Sequence, residues 1–294
     1  MKTMTENEYL RKVLADQTLA EDSQEKRDLH AERDHVWQLL AEEYGSAPVR
    51  RVGGSGAKGT MNKEDYDLDL PYYFPRDDHS AGDTLKEIYE SVERVLSKEY
   101  RVERKGVAVR LHDKEGDIDF HIDVVPGRFV SGSNGDAFLF PATSGKERLQ
   151  TNLETHIAHV KDSGVVEEIR LGKLWRTRRK IRLKTFALEL LIIDILSGFS
   201  GTLAEKMEKV LIEFRDNSDN LGISDPANTG NDLSGMLTTE VRNLLKSEAR
   251  DMLDTVKSSG WKAVFGEIQE ESSNEALRRI SLASPISRPW GYHE

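Results

Sequence analysis

The sequence predicts an α+β protein: a mixed sheet flanked by helices in the first half, followed by an all-helical second half. Three observations carry this. Two short segments, 67–70 and 117–125, alternate polar and apolar residues with the period of a strand, helical spacing surrounds them, and beyond residue 149 helical patterns follow one another with little else between. Taken in order, residues 8–18 read as a short helix. Residues 25–44 contain no Pro or Gly and place Leu29, Val36, Leu39 and Leu40 at helical spacing. Gly53, Gly54, Gly56 and Gly59 then crowd into a turn, and no helix signal opens after Lys58. The strand at 67–70 is expected to close at Pro71 and Pro75. A helix is expected at 84–100 and strands at 107–111 and 117–125, with a turn at 114–116 between the last two. A Gly/Ser/Asn loop at 131–135 reads as a hairpin tip or lid. Helices are expected at 153–161, 165–179, 184–196, 203–217, 237–258 and 272–280, before a loose tail. The chain divides into residues 1–160, the N-terminal helices and the sheet, and residues 161–294, the helical unit.

Composition narrows the chemistry. The 42 Lys and Arg against 52 Asp and Glu leave a net charge of −10, which argues against a protein that coats nucleic acid over its whole surface. The absence of cysteine excludes disulfides, thiol nucleophiles and thiolate zinc sites. The first residues lack the apolar core of a secretory signal, and the most apolar stretch, 186–199, is too short for a bilayer and carries Glu189 and Asp194. A cytoplasmic protein without a membrane partner is expected.

Candidate site residues fall into three groups. The stretch from Gly53 to Thr60 lets the backbone approach a ligand closely, with Gly54, Ser55 and Lys58 offering N–H groups, a hydroxyl and a charge to phosphate. It matches neither the P-loop nor the dinucleotide fingerprint, and an ordinary tight loop is the competing reading. Asp67 and Asp69, two apart on a strand, share a face while Leu68 and Leu70 turn inward. Carboxylates so placed either hold a cation, with Mg²⁺ the natural choice beside phosphate, or lie on a solvated edge. On the second alternating segment Asp117, Asp119, His121 and Asp123 share a face. The increasingly apolar surroundings of Asp123 favour it as the third ligand over Asp119, with His121 beside the site. Finally, eight basic residues and no acid lie between Arg170 and Lys184: either a solvated helix face or a cradle for triphosphates.

Together these residues resemble the DNA polymerase β-type nucleotidyltransferases. Gly54-Ser55 with Lys58-Gly59-Thr60, and Ile122-Asp123-Val124-Val125-Pro126, are similar to segments of the 2′-5′-oligoadenylate synthases. So are Leu171-Gly172-Lys173-Leu174-Trp175, the helix Lys184-Thr185-Phe186-Ala187-Leu188-Glu189-Leu190-Leu191, and Asp225-Pro226-Ala227-Asn228 followed by Asn231-Asp232. Cyclic GMP-AMP synthase and the bacterial CD-NTases share the signature. The chain's length, its lack of cysteine and its acidic surface favour the bacterial group. The resemblance implies a polymerase β-like core and a helical nucleotide-binding domain. It implies Asp67, Asp69 and Asp123 as catalytic ligands of Mg²⁺ (or Mn²⁺), with Gly54, Ser55, Lys58, Lys173, Lys184 and Thr185 contacting nucleotide. The expected activity joins ribonucleoside triphosphates such as ATP into a cyclic or short linear oligonucleotide messenger and releases pyrophosphate. An antiphage role, a product-responsive effector protein and independence from duplex nucleic acid are expected with it. A tRNA-end or small-molecule nucleotidyltransferase, or an inactive nucleotide-binding regulator, are the alternatives.

Overall fold

A computed structural model describes residues 4–114, 120–130 and 135–268. Asp117 and Asp119, residues 131–134 of the expected lid and the expected helix at 272–280 lie outside the described residues.

The chain opens with α1 (Glu6–Asp16) and α2 (Gln24–Tyr44), each started by a side-chain cap, Thr5 and Ser23. The sheet follows: β1 (Val49–Arg50), β2 (Asp67–Phe74), β3 (Arg101–Lys105), β4 (Ala108–His112), β5 (His121–Phe129), β6 (Asp136–Leu139) and β7 (Leu149–Asn152). Its backbone order is β1-β2-β5-β4-β3, with β6 continuing from the far half of β5 and β7 pairing β6. Only β2 and β5 run parallel, and all other neighbours are antiparallel. Helices α3 (Gly54–Lys58) and α4 (Leu85–Leu96) lie between strands, α4 starting in a Thr84–Glu87 capping box.

Alternation decides which face of the sheet does what. Leu68, Leu70, Tyr72 and Phe74 of β2, with Ile122 and Val124 of β5, are buried with Leu29, Val36 and Leu40 of α2 and Ile88, Tyr89 and Val92 of α4. The odd residues of both strands, Asp67, Asp69 and Asp123 among them, take the opposite face. Contrary to the sequence expectation, β2 does not close at Pro71. It runs on to Phe74, because Pro71 still accepts the Arg51 N–H of the incoming chain (3.0 Å) and needs no donor of its own there.

The second half contains α5 (Leu153–Lys161), α6 (Val166–Arg178), α7 (Thr185–Ile195), α8 (Leu203–Asn217), the two-stranded β8 (Ser224–Asp225) and β9 (Asn228–Asp232), α9 (Thr239–Ser259) and α10 (Trp261–Phe265). Its core gathers Leu174 and Trp175 of α6, Leu188 and Ile192 of α7, Phe214 of α8 and Leu245 of α9. Gly172 lets α6 and α7 touch, since a Cβ there would come within 2.5 Å of Ile192. Helix α1 packs with this helical core through Tyr9, Leu10, Val13 and Leu14, whereas α2 covers the sheet, so the N-terminal pair straddles the two halves. Among the described residues no helix is long and apolar enough to cross a membrane.

Candidate active site

The glycine turn is built around Asp69. Gly53 donates its N–H to the Asp69 carbonyl (2.9 Å), and Gly54 has φ +54° with its α-carbon pressed against the Asp69 carboxylate. A Cβ at Gly54 would sit 1.5 Å from Asp69 Oδ2, so only glycine fits. The residues expected to be a plain loop wind instead into the single turn of α3, which ends at Gly59 in the left-handed region (φ +74°). The turn and the strand enclose a cleft of about 360 Å³ that Gly54, Ser55, Lys58, Asp67, Asp69, Lys173 and Thr185 all line. Seven of the nine residues expected in the site therefore share one cavity.

The other two stand apart from that lining. Asp123 lies on β5 directly in register with Asp69, on the same sheet face, and both its oxygens are taken by Arg110 of β4 (Nε–Oδ1 2.8 Å, Nη2–Oδ2 2.7 Å). Lys184 precedes α7 and borders a neighbouring cavity with Arg182, Met236 and Glu240, not the carboxylate cleft. It sits on the α9 side, whereas Thr185, Phe186 and Glu189 of α7 turn toward the cleft. His121 is exposed in register with Asp67, its ring edge-on to His112 at 5.7 Å.

Electrostatics follow from this crowding. Burial, then Asp123, then Asp67 push the Asp69 carboxyl up to about 6, against the pull of Lys58 and Lys173. Asp67 is raised as well, chiefly by burial, with Asp65 and Asp123 adding to it. Burial lowers the Lys173 ammonium, and its proton is held against the Thr60 carbonyl at 2.8 Å. Half-buried acids that repel one another, facing buried lysines across a cleft, form a donor set suited to a hard divalent cation with phosphate as its further ligand. Among the described residues, however, no three His, Asp or Glu side chains are gathered into a ready-made metal cage.

Sequence reasoning did not assign roles to Glu189 or Arg110. Glu189, only 1% exposed, accepts both Lys58 Nζ (2.8 Å) and Thr60 Oγ1 (2.9 Å), tying the glycine turn to α7. The Lys58 ammonium also lies over the Phe186 ring, 4.6 Å from its centre, and His156 packs against the same ring (4.8 Å) while hydrogen-bonded to Asp225 (2.8 Å). A lone acid inside the apolar run 186–193 was the available signal for Glu189. Asp225 also accepts the Ala227 N–H (2.9 Å), so its loop is a turn between β8 and β9 rather than a helix cap.

The basic run on α6 is largely spent inside the protein. Arg170 donates to Asn62 Oδ1 (3.2 Å), the Leu14 carbonyl and Thr18. Lys173 takes Thr60, Arg176 takes Asp65 (2.5 Å), and Arg178 takes Glu64 (2.9 Å) and the Phe265 carbonyl (2.8 Å). Four basic side chains of one helix thus fasten residues 60–65, the segment that delivers Asp67 to the cleft.

No protein-family model and no curated protein sequence matches the chain. Solved structures do. Escherichia coli MS115-1 CdnC, solved with ATP, aligns at a TM-score of 0.67 with 18% identity, covering 92% of this chain and 100% of that one. Elizabethkingia meningoseptica CdnE cyclic dinucleotide synthase, solved with GTP and Apcpp, aligns at 0.64 with 12% identity over 86% and 99%. Bradyrhizobium diazoefficiens CD-NTase CdnG, in complex with GTP, gives 0.64 with 13% identity over 94% and 97%. The architecture, a mixed sheet flanked by helices and followed by a helical half, is that of these solved structures. More narrowly, the chain has the CD-NTase fold, as its sequence motifs led one to expect.

Proposed function

We propose that the protein is a CD-NTase, a nucleotidyltransferase that joins ribonucleoside triphosphates, ATP among them, into a cyclic or short linear oligonucleotide with release of pyrophosphate. One observation carries the reading: the cleft that sets Asp67 and Asp69 against the Gly54-Ser55 turn also holds Lys58 and Lys173, on a fold otherwise seen in a cyclic dinucleotide synthase. Asp67, Asp69 and Asp123 would hold Mg²⁺ or Mn²⁺, which when bound lowers the pKa of an attacking ribose hydroxyl and offsets triphosphate charge. The chain's own part is to position and neutralise. Ser55 and the Gly54 backbone meet the terminal phosphates. Lys173, buried and fixed by Thr60, places a positive charge on the cleft wall without needing to be recruited. Lys58 sits between Glu189 and Phe186, so its charge is oriented rather than free. Lys184 is left for a phosphate that reaches past Thr185 toward the neighbouring cavity.

A cytoplasmic protein of antiphage signalling, acting through a product-responsive effector and needing no duplex nucleic acid, completes the proposal. The internal pairing of Arg170, Arg176 and Arg178 supports the last point, because it withdraws these arginines of the basic run from a polyanion. The test is direct. Purified protein with Mg²⁺ and labelled ribonucleoside triphosphates should give phosphatase-resistant product without added DNA or RNA. Release of no pyrophosphate from any combination of the four nucleotides, with Mg²⁺ or with Mn²⁺, would sink the assignment.

A further inference from the structure

Resting on the reading of Asp67, Asp69 and Asp123 as the metal-binding acids, we propose that Arg110 is a positioning residue that locks the third carboxylate, so that a divalent cation engages Asp123 only against the charge of an arginine fork that holds both its oxygens. The lock is built by the sheet itself. Arg110 and Asp123 are direct partners in the antiparallel register of β4 and β5, so the two side chains face one another as soon as these strands pair. The contact is bidentate, one guanidinium N–H to each carboxylate oxygen, at 2.8 and 2.7 Å. Both partners are mostly shielded, with side chains 21% and 15% exposed, so water weakens the pair little.

The consequence shows in the donor set. Asp69 stands in register with Asp123 on the neighbouring strand, yet no three carboxylates or imidazoles among the described residues form a metal cage. A carboxylate that accepts one guanidinium N–H on each oxygen keeps a lone pair on each, but a cation that uses it must sit close to the guanidinium's positive charge. Asp67 is close enough for Arg110 to act on it as well, so one guanidinium offsets negative charge across the acid cluster. Removing that positive charge frees the lone pair it holds on each oxygen and deepens the negative potential. Both changes favour a divalent cation.

Two roles for Arg110 predict opposite signs. If it holds Asp123 ready for metal, its loss weakens binding. If it locks Asp123, its loss tightens binding. The measurement is Mn²⁺ titration followed by electron paramagnetic resonance on the full chain without nucleotide, so that catalysis plays no part. Arg110→Gln is expected to tighten Mn²⁺ binding about tenfold relative to wild type, by the removal of one charge beside the ion. Arg110→Lys keeps the charge but loses the fork, and is expected to tighten it by less, about threefold. The lysine variant also decides the matter if the glutamine variant does not fold. In parallel the metal-free melting temperature of Arg110→Gln should fall while the stabilisation it gains from saturating Mn²⁺ grows, a combination that mere loss of packing does not produce. Unchanged or weaker binding in both variants, with wild type binding Mn²⁺ normally, overturns the lock alone. If neither wild type nor variants bind Mn²⁺, the metal reading of the cleft falls, and the lock with it.

Discussion

The carboxylate face of the sheet and the basic face of α6 are both dense in one charge, yet they use it in opposite ways. On β2 and β5 like charges are brought together, Asp123 held by Arg110 but Asp67 and Asp69 left repelling it and each other, with Asp69 pushed up to about 6. On α6 the basic side chains are hydrogen-bonded one by one within residues 60–65, Arg170 and Lys173 to the neutral oxygens of Asn62 and Thr60, Arg176 and Arg178 to the carboxylates of Asp65 and Glu64. The first arrangement stores a demand for a cation. The second consumes its charge in holding the first in place. A run of one sign is therefore no guide to function until its partners are known.

Breaking the acid face should have the largest effect. Asp67→Asn or Asp69→Asn is expected to reduce product formation to below about a tenth of wild type, measured by thin-layer separation of labelled product. Metal-free stability should hold or rise in the same variants. For Asp69 the sign depends on pH. Its folded-state pKa is raised from 3.8 to about 6, so its favourable contribution is complete below 3.8 and is lost as the pH rises through about 6. Asp69→Asn should accordingly melt above wild type at about pH 8, and the gap should narrow as the pH falls below about 6 and close only below about 4. A gap that widens in acid would contradict the repulsion described for this face.

The joint between the two regions comes next. Glu189→Ala leaves Lys58 buried without its carboxylate and Thr60 without its acceptor. A loss on the order of 3 kcal/mol in denaturant unfolding is expected, together with a fall in activity. Glu189→Gln, which keeps Thr60 satisfied, should cost less.

Arg170→Ala tests the fastening function of α6. It removes bonds to Asn62, Leu14 and Thr18 and should cost about 1–3 kcal/mol in unfolding free energy, with nucleotide affinity reduced only as residues 60–65 loosen. A drop in nucleotide affinity with stability untouched would return Arg170 to the phosphates. The smallest effect belongs to Arg182, whose side chain is 83% exposed and reaches Glu240 only at 4.0 Å. Arg182→Ala should change stability by less than about 0.5 kcal/mol. The pair of measurements sharpens the contrast between the fastened and the solvated parts of one basic run.

Much of this was readable in the chain. Alternation placed Asp67 and Asp69 on one face and Leu68 and Leu70 on the other, and the helices at 153–161 and 203–217 fall where their spacing put them. Of the elements that were not anticipated, three show why. Strand β3 carries Arg101, Glu103, Arg104 and Lys105 on an exposed edge, so it has no buried face to produce alternation. Strands β6 and β7 are four residues each and take their order from pairing along β5. Arg110 was visible as a polar residue between Val109 and Leu111, but its partner thirteen residues later is set by register alone.

The sequence by itself determined the long helices, the two acid-bearing strands with the sheet face that carries the acids, and the place of the glycine turn, since those depend on periodicity and on backbone freedom within a few residues. Tertiary structure alone decided which charges are free and which are spent. The pairing of Arg110 with Asp123, of Lys58 with Glu189 and of α6 with residues 60–65 joins groups up to 131 residues apart. Whether a buried charge is paired or exposed to a ligand depends on its distance from other charges, and chain order does not record that distance.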